Sequence, residues 1–437
     1  MKKTLVFLTL VLLLPGFAQD SYVSKVAIHG FVSQGMMWST DNQYLGKTKE
    51  GTFEFNELGL NFSAQLTDEF RIGVQFFARD LGYLGNDEII VDWAYGDYRF
   101  RDWLGIRGGK MKMRLGLYNE FRDLDMTRVN IFMPQGVYNE TWRDSYNALK
   151  GLGVYGVINI GGFGALDYVL QVGVVNINSK TGVNRYIEDQ LYAKFDQYTI
   201  KPAYIGSLVW ETPLDGLRLA GSFMNTDFSA FGTTETTEFW KNMTLSAVRD
   251  YLRSQGVPEQ GLPTDYEAAR QIFDLVGINI QQEFRNIGAY WISAEYLFKG
   301  FSLAAEYYDL FTNYRTSNPQ LGALRPWDTN ELGGYYGSAS YRLNDYLEAG
   351  VYYSEYYTNF DDKEGKEYAQ LYQFPSSNTY QKDTAVSLRL DLNEYWIIKL
   401  EGHSVNGTAI MYRNEQDNPH NVEKDWILMA GKLTYNF

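Results

Sequence analysis

Apolar and polar residues alternate with a period of two along much of the chain. In FSLAAEYYDL, the odd positions from Phe301 to Tyr307 share one face and the even positions from Ser302 to Tyr308 share the other. This alternation is typical of a β-strand with one wet face. We predict sixteen such strands, beginning near Lys25, Gly51, Phe70, Ile89, Leu104, Gly151, Phe163, Pro202, Leu217, Ile287, Phe301, Gly333, Tyr346, Thr384, Trp396 and Trp426.

The connections between these strands alternate between short and long. The short ones, such as LTDEF, TPLDG and DLNEY, have the Gly, Asp, Asn and Pro content of tight hairpin turns. An up-and-down barrel with short turns at one end and long loops at the other has this alternation. The predicted fold is therefore all-β, a transmembrane antiparallel barrel of about 16 strands. Its long loops are predicted to cover residues 39–50, 80–88, 113–150, 177–201, 229–286, 313–332, 358–383 and 404–425.

Both ends of the chain fit an exported barrel. The start, MKKTLVFLTLVLLLPGFAQD, has two lysines, an apolar run and small residues before Ala18. It predicts a signal peptide over residues 1–18, since the apolar run is about half the length that spans a bilayer. The barrel then occupies residues 19–437. The last residues, GKLTYNF, keep the strand alternation up to Phe437.

Composition excludes several other classes of protein. Hydrophobic residues make up 45% of the chain, which excludes a disordered protein, and no stretch after the start is apolar enough for a membrane helix. The chain has no cysteine, so no disulfide stabilises it outside the cell. Its formal net charge of -14 argues against a nucleic-acid partner, because phosphates would be repelled.

Together, the signal peptide, the sixteen strands and the terminal Phe437 resemble bacterial outer-membrane porins. The stretch TFEFNELGLNFSAQLTDEFRIGVQFFARDLGYLGNDEIIVDWAYGDYRFRDWLGIRGGKMKM is more specifically similar to DcaP-type porins, which import small organic anions. The resemblance implies an outer-membrane diffusion channel for small hydrophilic solutes, surrounded by lipid, assembled as a homotrimer and without a cofactor. DcaP porins carry a coiled-coil segment before the barrel. Here only a few residues separate Ala18 from the first predicted strand, so a trimer would rest on packing of the barrel wall.

The third long loop breaks the strand pattern with an unusual density of charge. Its segment YNEFRDLDMTR, residues 118–128, carries five charged residues among eleven. The resemblance implies that loop 113–150 folds into the barrel and narrows it, where channel charges select solutes. A charged surface loop in water remains the alternative. The candidate constriction residues of this loop are Glu120, Arg122, Asp123, Asp125 and Arg128.

Strand phase predicts a basic wall opposite this loop. In RIGVQFFAR, Arg71 and Arg79 share one face, and Arg107 is predicted to face the lumen as well. Lys110 would join them only if the strand slips by one residue at Gly108 and Gly109, as in a β-bulge. This wall suggests a mild preference for anionic solutes. That preference would be weakened by the lumenal acids Glu295, Glu306, Glu348 and Glu401.

Other chemistry is not expected from this sequence. GLGVYG, residues 151–156, matches a dinucleotide-binding pattern but opens a strand where a helix is required. His29, His403 and His420 lack metal-ligand spacing, and no G-x-S-x-G motif supports a hydrolase that uses His29 or His403 as base. We therefore expect neither an enzyme nor a metal or cofactor site.

The fifth long loop, 229–286, leaves a second function open. WKNMTLSAVRDYLRSQG and TDYEAARQIFDLVG predict two short helices there, the latter with a capping box from Thr264 to Glu267. Such helices could form a lid, a contact with a neighbouring subunit or a docking surface. The alternative to a channel is thus a barrel that acts as an adhesin or receptor through its external loops.

Overall fold

Sixteen antiparallel strands close into a single barrel. A computed structural model describes residues 26–437 except 192, 235–248, 251, 254–256, 266–267, 269–278, 319–322, 325, 373 and 419. The first strand pairs with the second along one edge and with the last along the other, so the sheet has no free edge. The predicted strand count and topology are confirmed.

The strands follow one another around the barrel in chain order. Two of them, β8 and β12, are each interrupted once. In β8 the interruption contains Pro202, which has no backbone N–H to donate. The bounds are β1 Val26–Ser39, β2 Phe55–Gln65, β3 Phe70–Leu81, β4 Ile90–Arg101, β5 Leu104–Lys112, β6 Ala148–Asn159, β7 Ala165–Val175, β8 Ala193–Ile200 with Ala203–Glu211, β9 Leu217–Thr234, β10 Asn279–Phe298, β11 Phe301–Asn318, β12 Ala323–Leu324 with Asp328–Arg342, β13 Leu347–Tyr357, β14 Tyr380–Asp391, β15 Trp396–Gly407 and β16 Asp425–Asn436.

Three predicted loops are shorter than expected because strands extend into them. β9 continues to Thr234 and β10 begins at Asn279, both within the loop predicted over 229–286. β8 begins at Ala193, and β11 continues to Asn318. These extensions pair with one another, Thr233 opposite Asn279 for example, so their backbone groups are satisfied although the side chains lack a regular alternation. Most of the two helices predicted in the fifth loop lies outside the described residues.

Short helices occur only in the connections between the described strands. The α-helices are α1 (Arg143–Asn147), α2 (Gly182–Leu191) and α3 (Lys366–Tyr372). None of the helices in the described ranges is long and apolar enough to cross a membrane. Single 3-10 turns cover Asn119–Phe121, Asp125–Thr127, Gly161–Phe163, Glu259–Gly261, Ser376–Thr379 and Arg413–Glu415.

The two faces of the wall have opposite character. Along β15, Leu400 is 57% exposed on the outer face, whereas its neighbours Lys399 and Glu401 are buried inside. Aromatic residues that adjoin the short turns, such as Trp103 and Tyr346, are exposed at one end of the barrel. An apolar outer band bordered by aromatic residues is the surface that a bilayer requires.

The C-terminus closes the barrel against the first strand. Gly30 and Phe437 exchange two backbone hydrogen bonds of 3.0 Å. A Cβ at Gly30 would lie 2.6 Å from the Phe437 ring, so glycine leaves the space that this terminal ring occupies. The terminal phenylalanine is therefore part of the seam between β1 and β16.

A charge on the outer face should be costly in lipid. Leu400→Arg places a guanidinium near the middle of the apolar band, which should lower the free energy of unfolding in lipid vesicles by about 2–4 kcal/mol. Leu371→Arg on helix α3, where Leu371 is 71% exposed, is the matched control and should change it by less than about 0.5 kcal/mol. Equal effects in guanidinium titrations would show that the face carrying Leu400 does not contact lipid.

Candidate functional site

The connection between β5 and β6, residues 113–147, crosses the interior of the barrel; we call it the inner loop. The N–H groups of Ile131 and Phe132 donate to the Glu401 carboxylate of β15, each at 2.8 Å. The Leu117 N–H donates to Glu306 of β11, also at 2.8 Å. Because β11 and β15 are far from β5 around the barrel, the inner loop contacts the opposite wall.

Glycines allow the inner loop to approach the wall closely. Gly136 donates to Ser354 Oγ at 2.8 Å, and a Cβ there would lie 2.3 Å from the Glu355 carbonyl oxygen. Gly116 donates to Ser222 Oγ at 2.8 Å and has a φ of +61°, which other residues rarely adopt. The backbone of the inner loop is thus held directly by side chains of the wall.

Asp123 anchors the start of the inner loop to its end. It accepts a hydrogen bond of 2.6 Å from Arg143 and is also in contact with Lys112 at the end of β5. Arg143 reaches Glu57 on β2 at 3.0 Å, and Lys112 reaches Asp92 on β4 at 2.7 Å. These five side chains are all buried, and Lys432, 2.6 Å from Glu57, supplies a third cation for the three carboxylates.

A second ion-pair cluster surrounds Glu140. Arg79 of β3 donates to Glu140 at 2.9 Å and to Asp144 at 3.1 Å, and Arg122 donates to the other oxygen of Glu140 at 3.0 Å. Burial alone would raise the pKa of the Glu140 carboxyl, but Arg122, Arg143 and Arg79 lower it to about 2. Glu140 is therefore ionised at any physiological pH.

Asp125 is bound by lysines of the last two strands. Lys399 Nζ lies 2.9 Å and Lys432 Nζ 3.4 Å from Asp125 Oδ1, and Thr434 donates to Oδ2 at 2.8 Å. Burial opposes ionisation of Asp125, but Lys399, Lys432 and Arg128 hold the pKa of its carboxyl well below its usual range. The Asp125 carboxylate therefore attaches the inner loop to β15 and β16, and it is not accessible to a solute.

Apolar side chains fill the space between these clusters. Phe132 of the inner loop stacks on Phe55 of β2 at 5.4 Å between ring centroids and meets the Tyr44 ring edge-on. Met113 and Leu115 are completely buried in the same cluster. At this level the barrel has a packed core, which leaves little room for water.

The five charged loop residues that were predicted to form the constriction therefore lie in different environments. Arg122, Asp123 and Asp125 are buried in ion pairs or hydrogen bonds within the structure. Arg128 is partly buried, and its guanidinium donates to the Arg122 carbonyl oxygen at 2.6 Å. Glu120 remains accessible, with Arg114 at 3.0 Å.

Of the predicted basic wall, Arg79 faces the inner loop, whereas Arg71 and Arg107 lie closer to the short-turn end. Arg71 is 3.5 Å and Arg107 3.2 Å from Asp97 on β4. Arg107 also approaches Glu120 of the inner loop to 3.8 Å. These arginines belong to a different region of the lumen from the buried clusters.

The predicted slip at Lys110 is wrong. Pairing of β4 with β5 is regular from Asp97 opposite Arg107 to Ala94 opposite Lys110. Gly109 absorbs the local distortion with a φ of +133° and keeps the register. The backbone of Lys110 therefore stays in the phase opposite to Arg107, and its side chain, at the long-loop end of β5, lines a cavity there while its ammonium contacts the Val91 carbonyl oxygen.

Wall arginines surround the lumen near the short turns. Arg218 and Arg342 are more exposed than their acidic partners: the side chain of Arg218 is 34% exposed against 5% for Glu295, and that of Arg342 is 36% exposed against 13% for Asp391, whereas Arg389 and Asp391 are equally covered at 12% and 13%. Strand phase alone could have identified Arg342, which is the inward position just before a short turn, but sequence reasoning missed it. We call this set the arginine ring: Arg71, Arg107, Arg218, Arg342 and Arg389.

Stability should depend on pH through the buried carboxylates. The pKa of Glu140 is about 2 in the folded protein against an ordinary value of 4.5, so its ionised form stabilises the fold above pH 4.5. That contribution, roughly 3 kcal/mol at neutral pH, should disappear as the pH falls from 4.5 to about 2. Chemical unfolding at several pH values measures it, and Glu140→Gln should flatten this part of the profile. A loss of stability already between pH 7 and pH 5 would contradict the assignment.

Removing a carboxylate that holds the inner loop should both destabilise and loosen it. Glu401→Ala leaves the N–H groups of Ile131 and Phe132 without their acceptor, so we expect a loss of about 3–5 kcal/mol in unfolding free energy. Bilayer recordings should show larger and noisier currents. Glu348→Ala is the control, because Glu348 is also lumenal but pairs with Ser340 on the wall. Equal effects of both variants would mean that Glu401 does not position the loop.

Comparison with known proteins gives no match by sequence but several by structure. No family model and no curated protein matches the sequence. The outer membrane channel DcaP of Acinetobacter baumannii aligns with a TM-score of 0.52 at 9% identity, over 94% of this chain and 97% of that chain. OprB of Pseudomonas putida aligns with 0.52 at 12% identity over 95% of each chain. An anion-selective porin from Comamonas acidovorans aligns with 0.50 at 10% identity, over 94% of this chain and 99% of that chain. The chain therefore has the fold of the outer-membrane porins, the DcaP channel among them.

Proposed function

We propose that this protein is an outer-membrane channel through which small hydrophilic solutes diffuse, and that the inner loop is its constriction. The observation that carries the proposal is the attachment of the inner loop to the wall opposite β5, through Glu306 on β11 and Glu401 on β15. A barrel of about sixteen strands is too wide for wall side chains to fill. A loop fixed inside it restricts passage to narrow routes between loop and wall.

This attachment favours a channel over an adhesin or receptor. A receptor presents its loops outward, whereas here a network of buried ion pairs lies in the lumen, around Asp123 and Glu140. The proposal includes export through the predicted signal peptide and assembly as a homotrimer in outer-membrane lipid. A mobile surface loop would not need buried partners on strands all around the barrel, such as Glu57, Glu306 and Lys399.

The arginine ring supports a mild preference for small organic anions. Arg71, with 46% of its side chain exposed, presents a guanidinium to water while its partner Asp97 is 7% exposed. This exposed guanidinium can attract an anionic solute although an acid is close by. The Comamonas acidovorans porin of the same fold is described as anion-selective, which agrees with this proposal.

Hydrolase chemistry has weaker support. His403 lies 3.1 Å from Asp383 and 3.0 Å from Glu401, so both ring nitrogens face carboxylates. Among the described residues no serine hydroxyl is hydrogen-bonded to His403, and Ser387 donates to Glu401 instead. A base needs a free nitrogen next to its nucleophile. His403 holds the two acids together and positions the anchor of the inner loop.

Reversal potentials in a planar bilayer test the proposed selectivity. With a salt gradient, the wild-type protein should show anion-directed reversal, and Arg71→Glu should lower the anion-to-cation permeability ratio by about twofold or more. Lys366→Glu on the exposed helix α3 makes the same charge change outside the lumen and should leave the ratio unchanged.

Two other outcomes would each reject a different part of the proposal. A cation-selective wild-type channel would retain the pore and reject the role of the arginine ring. Absence of any conductance from correctly folded barrels would reject the channel and favour a closed barrel that acts through its external loops.

A further inference from the structure

A second polar region lies on the long-loop side of the inner loop. There a cavity of about 810 Å³ opens between β3, β5 and the connections that follow β3, β7 and β15. Arg79 and Asp144 form its floor, next to the inner loop, and Tyr83 and Tyr412 lie in its side. We call it the outer cavity. Its volume is within the range of small-molecule sites, about 300–1,000 Å³.

The charges that line the outer cavity are already paired within the protein. Lys180 lies 2.9 Å from Glu88, and Arg185 contacts Glu415 while it packs between the rings of Tyr83 and Tyr412. Lys110 is bound to a backbone carbonyl group. A charged solute would therefore have to compete with these pairs, whereas an uncharged one would not. The lining cations within 4.0 Å of a carboxylate are Arg79, Arg143, Lys180, Arg185 and Lys194.

Three amide side chains in the lining are available for hydrogen bonds. In the part of the chain that the structure describes, the side chains of Asn86, Asn176 and Asn414 have no hydrogen-bond partner. They come from three different connections, after β3, β7 and β15, and converge on one cavity. Each amide offers two donors and one acceptor, which suits a hydroxyl group that donates and accepts at once.

The position of Asn86 is imposed by the turn that carries it. Asn86 has a φ of +51°, and the preceding Gly85 lies so close to Arg79 that a Cβ would be 2.2 Å from the Arg79 carbonyl oxygen. Asp87 then donates to that same oxygen at 3.0 Å. The turn therefore packs against β3, whose Arg79 binds the inner loop. Asn86 and Arg79 both line the outer cavity.

We propose that the outer cavity binds uncharged, hydroxyl-rich solutes of the size of a mono- or disaccharide, through Asn86, Asn176 and Asn414. The proposal rests on the proposed channel function, for which the outer cavity is the external entrance. Paired charges and unpaired amides together select neutral polyols over anions at this entrance. A site built to hydrogen-bond hydroxyl groups discriminates strongly against solutes that lack them.

Sugar block of the ionic current tests the outer cavity. Maltose added to the long-loop side of a bilayer-inserted channel should reduce the current in a saturable manner. The double variant Asn176→Leu/Asn414→Leu should raise the half-blocking maltose concentration at least tenfold. Asn61→Leu is the control, because Asn61 is an asparagine of β2 that does not line the outer cavity.

Each remaining result is decisive. No block by maltose of an open channel, or an unchanged half-blocking maltose concentration in the double variant, would overturn the proposal. If the barrel conducts no current, the channel function fails separately, and calorimetry with maltose on the detergent-solubilised protein decides the site: binding that the double variant abolishes supports it, and no binding overturns it.

Discussion

The whole interior depends on neutralising charge in a place where water is scarce. Asp123, Asp125 and Glu140 of the inner loop are buried, and each would be costly there alone. Cations of the wall remove that cost: Lys399 lies 2.9 Å from Asp125, and Arg79 lies 2.9 Å from Glu140. Loop and wall are thus mutually dependent, because removal of either partner would leave a buried unpaired charge.

The same constraint explains why carboxylates of the wall bind backbone groups of the inner loop. A loop inside a barrel cannot give all its N–H groups to water, and it forms no sheet ladder. Glu401 and Glu306 each accept N–H donors from the loop at 2.8 Å, while neighbouring side chains supply further bonds to the same carboxylates. Two of the four acids that seemed from the sequence to oppose an anionic solute, Glu306 and Glu401, are therefore occupied in holding the loop.

The barrel could be predicted from the sequence because its determinant is local. A period of two and a sorting of turns by length are properties of neighbouring residues, and they are sufficient for sixteen strands. Strand ends near Thr234 and Asn279 could not be located, since they depend on pairing beyond the apolar band. The wrongly predicted slip before Lys110 has the same origin. Only the pairing of Lys110 with Ala94 shows that the strand keeps its register although the backbone is distorted at Gly109.

The functional site was harder to predict, because solvent exposure decides whether a charged side chain holds the inner loop or can contact a solute. Asp125 and Glu120 are similar in the sequence, yet the first is completely enclosed by partners from β15 and β16 and the second is accessible near Arg107. Partners nearly three hundred residues away, such as Lys399, cannot be assigned without the fold.

This difference in exposure places selection on either side of the inner loop and not within it. The buried charged side chains of the inner loop are bound to partners within the protein. A solute therefore meets accessible polar side chains only before and after the inner loop. On the short-turn side these groups are the guanidinium heads of the arginine ring, whose acids are covered. On the long-loop side they are amides beside charges that are already paired. The attached inner loop therefore separates two regions of different chemistry, and each can be altered by mutation without removing the carboxylates of Glu306 and Glu401 that hold the loop.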